Sequence, residues 1–314
     1  MSVPSSPAAV ARPLGAGAIA LVLLLCLSWG LNQVSVKLVL PDIPPILQAA
    51  VRSAGALVVI CAIAWARGVK LFARDGTIGP GILMGLLFGI EFALIYRGLL
   101  YTSASRASLF LYVAPFFVAI GASRLLGERM GLLQWGGLGL CFAGVALAMG
   151  IPQSNVDSHV LLGDLMVVGG GALWAATTLM VKLTRLKTAT PEKALAYQVA
   201  VSIPVLLFAA WLAGERLPLA VPSTLTVAMI AYQSIWVVGL TYLIWFGMLK
   251  TYSASKLSAF TFITPLFGVA AGYFILHDAL TATFGVAAAL VIAGLVLVNR
   301  PGPSTTPMVT VTKT

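Results

Sequence analysis

Long apolar runs alternate with short polar stretches along almost the whole chain, and this pattern predicts ten membrane-spanning helices. Charged residues, proline or glycine mark the ends of each run. Each run is long enough for an α-helix to cross a hydrocarbon layer of roughly 30 Å. The predicted spans are residues 15–36, 46–66, 79–100, 106–125, 132–150, 162–183, 193–213, 225–248, 257–276 and 282–299.

Composition supports this interpretation, because hydrophobic residues make up 60% of the 314 positions and charged residues only 9%. A soluble domain carries about 25% charged residues, which it needs on its surface. We therefore expect an all-α integral membrane protein whose surroundings are the lipid bilayer. The proline-containing ends, residues 1–14 and 301–314, are predicted to be disordered.

The net charge of +10 raises the question of a nucleic-acid partner. No stripe of alternating aromatic and basic residues, which could stack and hold bases, occurs in the sequence. With a cytoplasmic N-terminus, most lysines and arginines fall in cytoplasmic segments, such as the loop with Arg67, Lys70 and Arg74. That distribution is the one that orients membrane proteins. We expect a multi-pass protein of the cell (inner) membrane with both termini in the cytoplasm and no nucleic-acid partner.

The chain contains an internal repeat. Trp29 and Lys37 recur 145 positions later as Trp174 and Lys182. At an offset of 150, Ser103-Ala104-Ser105-Arg106, Pro115, Glu128 and Gly144 recur as Ser253-Ala254-Ser255-Lys256, Pro265, Asp278 and Gly294. Because five spans are an odd number, the second copy must enter the membrane from the opposite side. We predict two inverted five-helix repeats, residues 15–150 and 162–300, an architecture found in transporters.

These residues resemble the EamA family of the drug/metabolite transporter superfamily. The resemblance rests on Trp29-Gly30-Leu31-Asn32 with Lys37, Arg52, Thr102-Ser103-Ala104-Ser105-Arg106, Pro115, Gly127-Glu128-Arg129 and the glycine-rich fifth span. It implies ten helices, cytoplasmic termini, and transport of amino acids, other metabolites or drugs, often as export. One departure is Leu276-His277-Asp278, where the second copy in the family more often shows Gly-Glu.

Two ionisable residues, Arg52 and Glu91, lie inside predicted spans. A charge at the centre of a membrane helix costs about 2.5–3.5 kcal/mol on insertion scales, so it usually faces protein or a water-filled cavity. The second and third spans are neighbours in the chain and antiparallel, which allows the two side chains to meet. They are either a structural ion pair or groups that bind substrate or couple transport to protons.

Polar and aromatic residues near the middle of several spans indicate a cavity. Trp29 lies beside the polar face of the first span, and the repeat places Trp174 correspondingly. Tryptophan and asparagine at mid-helix suit a site that stacks and orients an organic solute, although hydrogen bonding between helices is the alternative. The candidates for substrate binding or translocation are Trp29, Asn32, Arg52, Glu91, Trp174, Thr177, Gln198, Trp236 and Tyr242.

Pro115 and Pro265 interrupt two spans at matching positions of the repeat. Proline removes a backbone hydrogen bond inside a helix, and paired breaks point to gating or to a site at the membrane midplane. Static kinks are the alternative. Small residues on the fifth and tenth spans, Gly139, Ala143, Ala289 and Ala293, predict packing faces within a protomer or between two protomers of a homodimer.

We interpret the chain as a secondary transporter, in particular an exporter, that moves small organic metabolites by alternating access around a midplane cavity. The alternatives are an intramembrane enzyme and a passive channel. No catalytic motif, P-loop or filter sequence occurs. The three cysteines, Cys26, Cys61 and Cys141, lie in apolar runs and not at metal-ligand spacing. We expect neither a metal nor a cofactor, and no enzymatic activity.

Overall fold

A computed structural model describes residues 12–149, 157–216, 221–277 and 283–300. The predicted disordered ends lie almost entirely outside these ranges, as does Asp278. The first half consists of α1 (Ala16–Val39), α2 (Pro45–Ala66), α3 (Ile78–Gly98), α4 (Ala104–Leu111), α5 (Ala114–Leu125) and α6 (Leu132–Met149).

The second half begins with the longest helix in the described part of the chain, α7 (Ser158–Leu183), and a 3₁₀ turn at Arg185–Lys187. It continues with α8 (Pro191–Leu212), α9 (Thr224–Ala231), a π-helical segment (Tyr232–Thr241) and α10 (Tyr242–Thr251). It ends with α11 (Ala254–Phe260), a second 3₁₀ turn (Thr261–Ile263), α12 (Thr264–Leu276) and α13 (Phe284–Asn299).

The predicted fold class is confirmed. Within the described residues, nine helical spans have the length and hydropathy to cross a membrane, and the 16-residue α13 is a shorter tenth. No strand is present in the same part of the chain. Span limits differ from the predicted ones by a few residues, because several helices continue beyond the apolar run, as α7 does at its start.

Packing partners are exchanged between the two halves. Helix α6 packs on its repeat counterpart α13, and α2 packs on its counterpart α8. Helix α1 packs on α12, and correspondingly α7 packs on α4 and α5. A Cβ added at Gly137 would lie 2.7 Å from the Gly294 carbonyl oxygen, so this contact needs glycine. A Cβ added at Gly139 would meet nothing within 4 Å, so this position makes no close contact within the protomer, and packing between two protomers stays a prediction.

The fourth and ninth spans are both broken near their middle. The break between α4 and α5 falls at Tyr112 and Val113, and the break between α11 and α12 is the 3₁₀ turn. Pro115 and Pro265 each lie in the first turn of the helix that follows. An N–H in that turn has no partner within the helix, so proline is tolerated there. The prolines therefore begin new helices, so both spans are broken at these positions, and a role in gating stays a prediction.

Helix α3 approaches α8 closely along a stripe of glycines. A Cβ added at Gly85 would lie 2.5 Å from the Val201 Cβ and 2.8 Å from the Tyr197 carbonyl oxygen. Gly81 and Gly89 make similarly close approaches one turn away on either side. Small residues at four-residue spacing let helix backbones come together in a membrane. This contact brings the two helices that carry Glu91 and Gln198 to the same cavity.

Candidate functional site

A cavity of about 330 Å³ lies among α1, α2, α3, α4, α7, α8, α10 and the start of α12. Eight of the nine predicted site residues contribute to its wall: Trp29, Asn32, Arg52, Glu91, Trp174, Thr177, Gln198 and Tyr242. The ninth, Trp236, does not line it. Its indole Nε1 instead donates to the Ser28 hydroxyl at 2.9 Å, so this residue joins the π-helical segment to α1. Pro115 and Pro265 are also outside the wall.

Arg52 and Glu91 are the charged groups deepest in this cavity, with 3% and 5% of their surfaces exposed. They make no ion pair within 4 Å of each other. The Arg52 guanidinium lies over the Phe92 ring, with its Cζ 4.3 Å from the ring centroid. Its Nε and Nη2 have no hydrogen-bond partner, and neither does Glu91 Oε2. Buried polar atoms without a hydrogen-bond partner are costly.

Further polar atoms on the wall are also unpartnered. The side-chain amide oxygens of Asn32 and Gln198 are buried and accept no hydrogen bond among the described residues. If Pro45 is paired with Pro191 in the repeat, Gln198 is the counterpart of Arg52. Native structures rarely leave buried polar groups unpaired. Together with the two charges, these atoms offer donors and acceptors at several points around the same space.

Aromatic rings form the apolar part of the wall around Trp29. Its ring meets those of Tyr242 and Trp245 edge to face, at centroid distances of 6.0 and 5.4 Å. Its indole Nε1 donates to the Thr241 hydroxyl at 2.9 Å. Thr241 is the last residue of the π-helical segment and is fully buried. The orientation of Trp29 is thus fixed by a residue 212 positions away.

The repeat counterpart, Trp174, also lies on the wall. Its ring meets Tyr112 edge to face at 6.3 Å, and Tyr112 is at the break between α4 and α5. The Thr177 hydroxyl donates to the Trp174 carbonyl oxygen at 2.8 Å, within the same helix. Both tryptophans that the repeat pairs therefore contribute to one cavity, one from each half.

The two ends of the molecule differ around this cavity. At one end the wall extends to Lys37 and Leu99, next to the ends of α1 and α3. At the other end, Glu128 accepts hydrogen bonds from Lys182 Nζ at 3.1 Å, the Ser253 hydroxyl at 2.7 Å and the Ser255 hydroxyl at 3.0 Å. We call these four residues the Glu128 cluster. It joins the α5–α6 loop to α7 and to the start of α11.

The acid of the Glu128 cluster is ionised at neutral pH. Burial raises the pKa of Glu128, but the charge of Lys182 and hydrogen bonds from Ser253 and from the backbone N–H groups of Ala254 and Ser255 outweigh it. The net result is a pKa below the ordinary value of 4.5. Lys182 is the counterpart of Lys37, so of two equivalent lysines one belongs to the Glu128 cluster and the other to the wall of the cavity.

Sequence reasoning missed several wall residues. Phe88, Phe92 and Tyr96 lie at four-residue spacing on α3, beside Glu91. That spacing is typical of one helix face and could have been recognised.

No group of three or more His, Cys, Asp or Glu side chains that could hold a metal occurs in the described residues.

Comparison with known proteins shows which family the chain resembles in sequence. The sequence pattern of the EamA-like transporter family matches residues 16–150 and 161–300. The chain belongs to this family. It is therefore a multi-pass membrane protein of the drug/metabolite transporter superfamily, as the repeated residues predict.

Relatives of the same kind match over most of their length. The uncharacterized transporter YoaV of Bacillus subtilis (strain 168) is 25% identical over 270 residues, which is 86% of this chain and 92% of the relative. A chloroplastic WAT1-related protein of Arabidopsis thaliana is 30% identical over 298 residues, which is 87% of this chain and 67% of the relative. A probable amino-acid metabolite efflux pump of Escherichia coli (strain K12) is 26% identical over 283 residues, which is 88% of this chain and 92% of the relative.

A solved crystal structure also has the same fold. It superposes with a TM-score of 0.74 and covers 90% of this chain and 96% of its own chain. At 19% identity, this likeness concerns the fold alone.

Proposed function

We propose that this EamA-family protein is a secondary transporter that exports small organic metabolites by alternating access around the cavity. The observation that carries the proposal is the set of buried, unpartnered polar atoms on the wall, above all those of Arg52 and Glu91. A permanently empty site would leave these groups unsatisfied. A substrate with complementary charges satisfies them during each transport cycle.

The chemistry of the wall favours a zwitterionic substrate such as an amino acid. Arg52 suits a carboxylate, since its guanidinium presents planar donors, and Glu91 suits an ammonium group. The aromatic rings around Trp29 suit an apolar side chain. The relative from Escherichia coli is named as a probable amino-acid metabolite efflux pump, which supports the same class. Drugs that carry both an amino group and a carboxyl group are the second substrate class that fits the wall. We expect protons to be the coupling ion.

Alternating access is supported by the inverted repeat and by the difference between the two ends. The Glu128 cluster holds one end together, while the wall reaches Lys37 at the other. Exchange of the roles of the two halves converts one arrangement into its opposite, as in other transporters with inverted repeats. We infer that the Glu128 end faces the cytoplasm, because the loop with Arg67, Lys70 and Arg74 lies there.

The experiment is counterflow in proteoliposomes that contain the purified full-length protein. Vesicles preloaded with a mixture of unlabelled amino acids should accumulate a labelled amino acid transiently and saturably. The matching amine without its carboxylate, and the matching acid without its ammonium group, should compete weakly. Non-saturable flux would indicate a channel, and chemical conversion of the label would indicate an enzyme. Cysteine labelling at positions 72 and 157 from opposite sides of the membrane tests the orientation.

A further inference from the structure

A second hollow lies on the surface where α2 ends. It has a volume of about 470 Å³ and is formed by the last two turns of α2 and by residues 69–73 of the following loop. Its buried or half-buried lining is apolar and includes Ala64, Val69 and Leu71. Trp65 and Phe72 also line it, with 85% and 93% of their surfaces exposed. We call this hollow the α2 crevice.

The loop that forms the crevice is fixed to the rest of the protein. Lys193 Nζ on α8 donates to Asp75 Oδ2 at 2.7 Å and to the Ala73 carbonyl oxygen at 2.8 Å. Arg67 pairs with Glu192 on the same helix at 2.5 Å. Phe72 is therefore held outward by an anchored loop, and Trp65 by the last turn of α2. Exposed aromatic side chains at the end of a membrane span are typical of the boundary between hydrocarbon and headgroups.

The charges around the crevice are unbalanced. The nearby acids Asp75 and Glu192 are both engaged in ion pairs. Lys70, which lines the crevice, and Arg74 are exposed and make no ion pair with any residue in the described ranges. The crevice therefore combines an apolar hollow with two cations that are available to an external anion.

We propose that the α2 crevice binds one anionic phospholipid, with an acyl chain between Trp65 and Phe72 and the phosphate at Lys70 and Arg74. The apolar span that contains α2 ends at Ala66, so the crevice lies where hydrocarbon gives way to headgroups. Aromatic side chains favour this boundary, and basic side chains there attract anionic lipids. Because the hollow lies at the end of an apolar span, we expect acyl chains to reach it.

Photocrosslinking tests the site in the unmodified protein. A photoactivatable phosphatidylglycerol is incorporated into vesicles with the full-length transporter, and crosslinked peptides are mapped by mass spectrometry. We expect labelling within residues 61–74 that excess phosphatidylglycerol suppresses and excess phosphatidylcholine does not. Equal suppression by both lipids, or labelling spread evenly over all spans, would overturn the proposal.

Variants then separate the charge from the apolar hollow. The double variant Lys70→Gln/Arg74→Gln should lower the apparent affinity for phosphatidylglycerol, measured by native mass spectrometry, by about fivefold per removed charge. The variant Trp65→Ala/Phe72→Ala should also lose bound lipid. Two controls are Lys187→Gln, an exposed cation on a nearby loop, and Trp211→Ala, an exposed tryptophan on α8. Equal loss in crevice and control variants, or none in either crevice variant, contradicts the site.

Discussion

Arg52 and Glu91 line one cavity from neighbouring helices without forming an ion pair. Each keeps at least one buried polar atom without a partner, and the guanidinium rests on Phe92 instead of on the carboxylate. A structural pair removes the cost of two buried charges by direct contact. Since that contact is absent between these two described side chains, the arrangement favours groups that receive a ligand.

The first prediction concerns this pair. Arg52→Gln and Glu91→Gln should each yield folded protein but lower transport per folded protein at least about tenfold, because a hydrogen bond to a charged group is worth roughly 1.5–3 kcal/mol. The double variant should remain inactive. The measurement is counterflow rate normalised to monodisperse protein, with Arg97→Gln, at the end of α3, as control. Recovery of transport in the double variant would show that Arg52 and Glu91 have a structural role only.

The second prediction concerns the orientation of Trp29. Thr241→Val keeps the shape of the side chain but removes the acceptor of the Trp29 indole N–H. A lost neutral hydrogen bond is worth about 1 kcal/mol, so the half-saturating substrate concentration should rise about fivefold at a similar maximal rate. Ser202→Ala is the control, because its hydroxyl bonds only within α8 among the described residues. An unchanged half-saturating concentration would show that the indole is held without Thr241.

The third prediction is that the Glu128 cluster keeps its end of the transporter closed. Glu128→Ala removes the acceptor shared by Lys182, Ser253 and Ser255, so that end should open more often. In a Cys61→Ser background, Thr178→Cys on the cavity wall should then react faster with a thiol reagent applied from the loop side. Asp75→Ala, which frees a loop on the same side, should leave this rate unchanged. An equal increase of the reaction rate by Glu128→Ala and Asp75→Ala would indicate that either substitution loosens this side of the protein in general.

The same cluster should respond to acid. Because the pKa of Glu128 in the closed arrangement is below its ordinary value of 4.5, its stabilisation is complete above pH 4.5. It is lost as the pH falls through the lowered pKa. Spin labels at positions 129 and 187 should therefore move apart on acidification. Glu128→Gln should remove this pH dependence, and a persistent response in that variant would assign it to another group.

The fourth prediction tests the close contact of α3 and α8. Gly85→Ala places a Cβ within 2.8 Å of the Tyr197 carbonyl oxygen, and such overpacking costs about 1–3 kcal/mol. The thermal midpoint in detergent should fall accordingly. Gly79→Ala, at the start of the same helix, meets nothing within 4 Å and should leave it nearly unchanged. Similar thermal midpoints for both variants would mean that α3 can move away from α8 without a loss of stability.

The helices could be predicted from the sequence because lipid imposes a simple demand on the backbone. A span must satisfy its own hydrogen bonds and present apolar side chains, so α2, expected at 46–66, is found at Pro45–Ala66. The repeat was equally visible, since Trp29 and Trp174 recur in order. Both were predicted to line the cavity because a tryptophan that recurs near the middle of a span in each half suits a solute site.

The contacts within the site depend on details that a periodic pattern does not contain. Trp236 and Tyr242 belong to one span, yet only Tyr242 lines the cavity. Between them the chain follows a π-helix, whose turn has more residues than an α-helix, so faces counted with α-helical spacing are wrong. The bond from Trp29 to Thr241 joins the two halves and depends on that same segment.

The π-helical segment also makes the two halves unequal. The offset between the repeats grows from 145 at Trp29 to 150 at Pro115, so 150 − 145 = 5 additional residues lie in the second half. The segment Tyr232–Thr241 falls in this stretch. The span that contains it, Thr224–Thr251, has no acid to correspond to Glu91. A substrate that approaches from one face therefore meets different chemistry from one that approaches from the other, and the half-saturating concentrations measured on the two sides should be unequal.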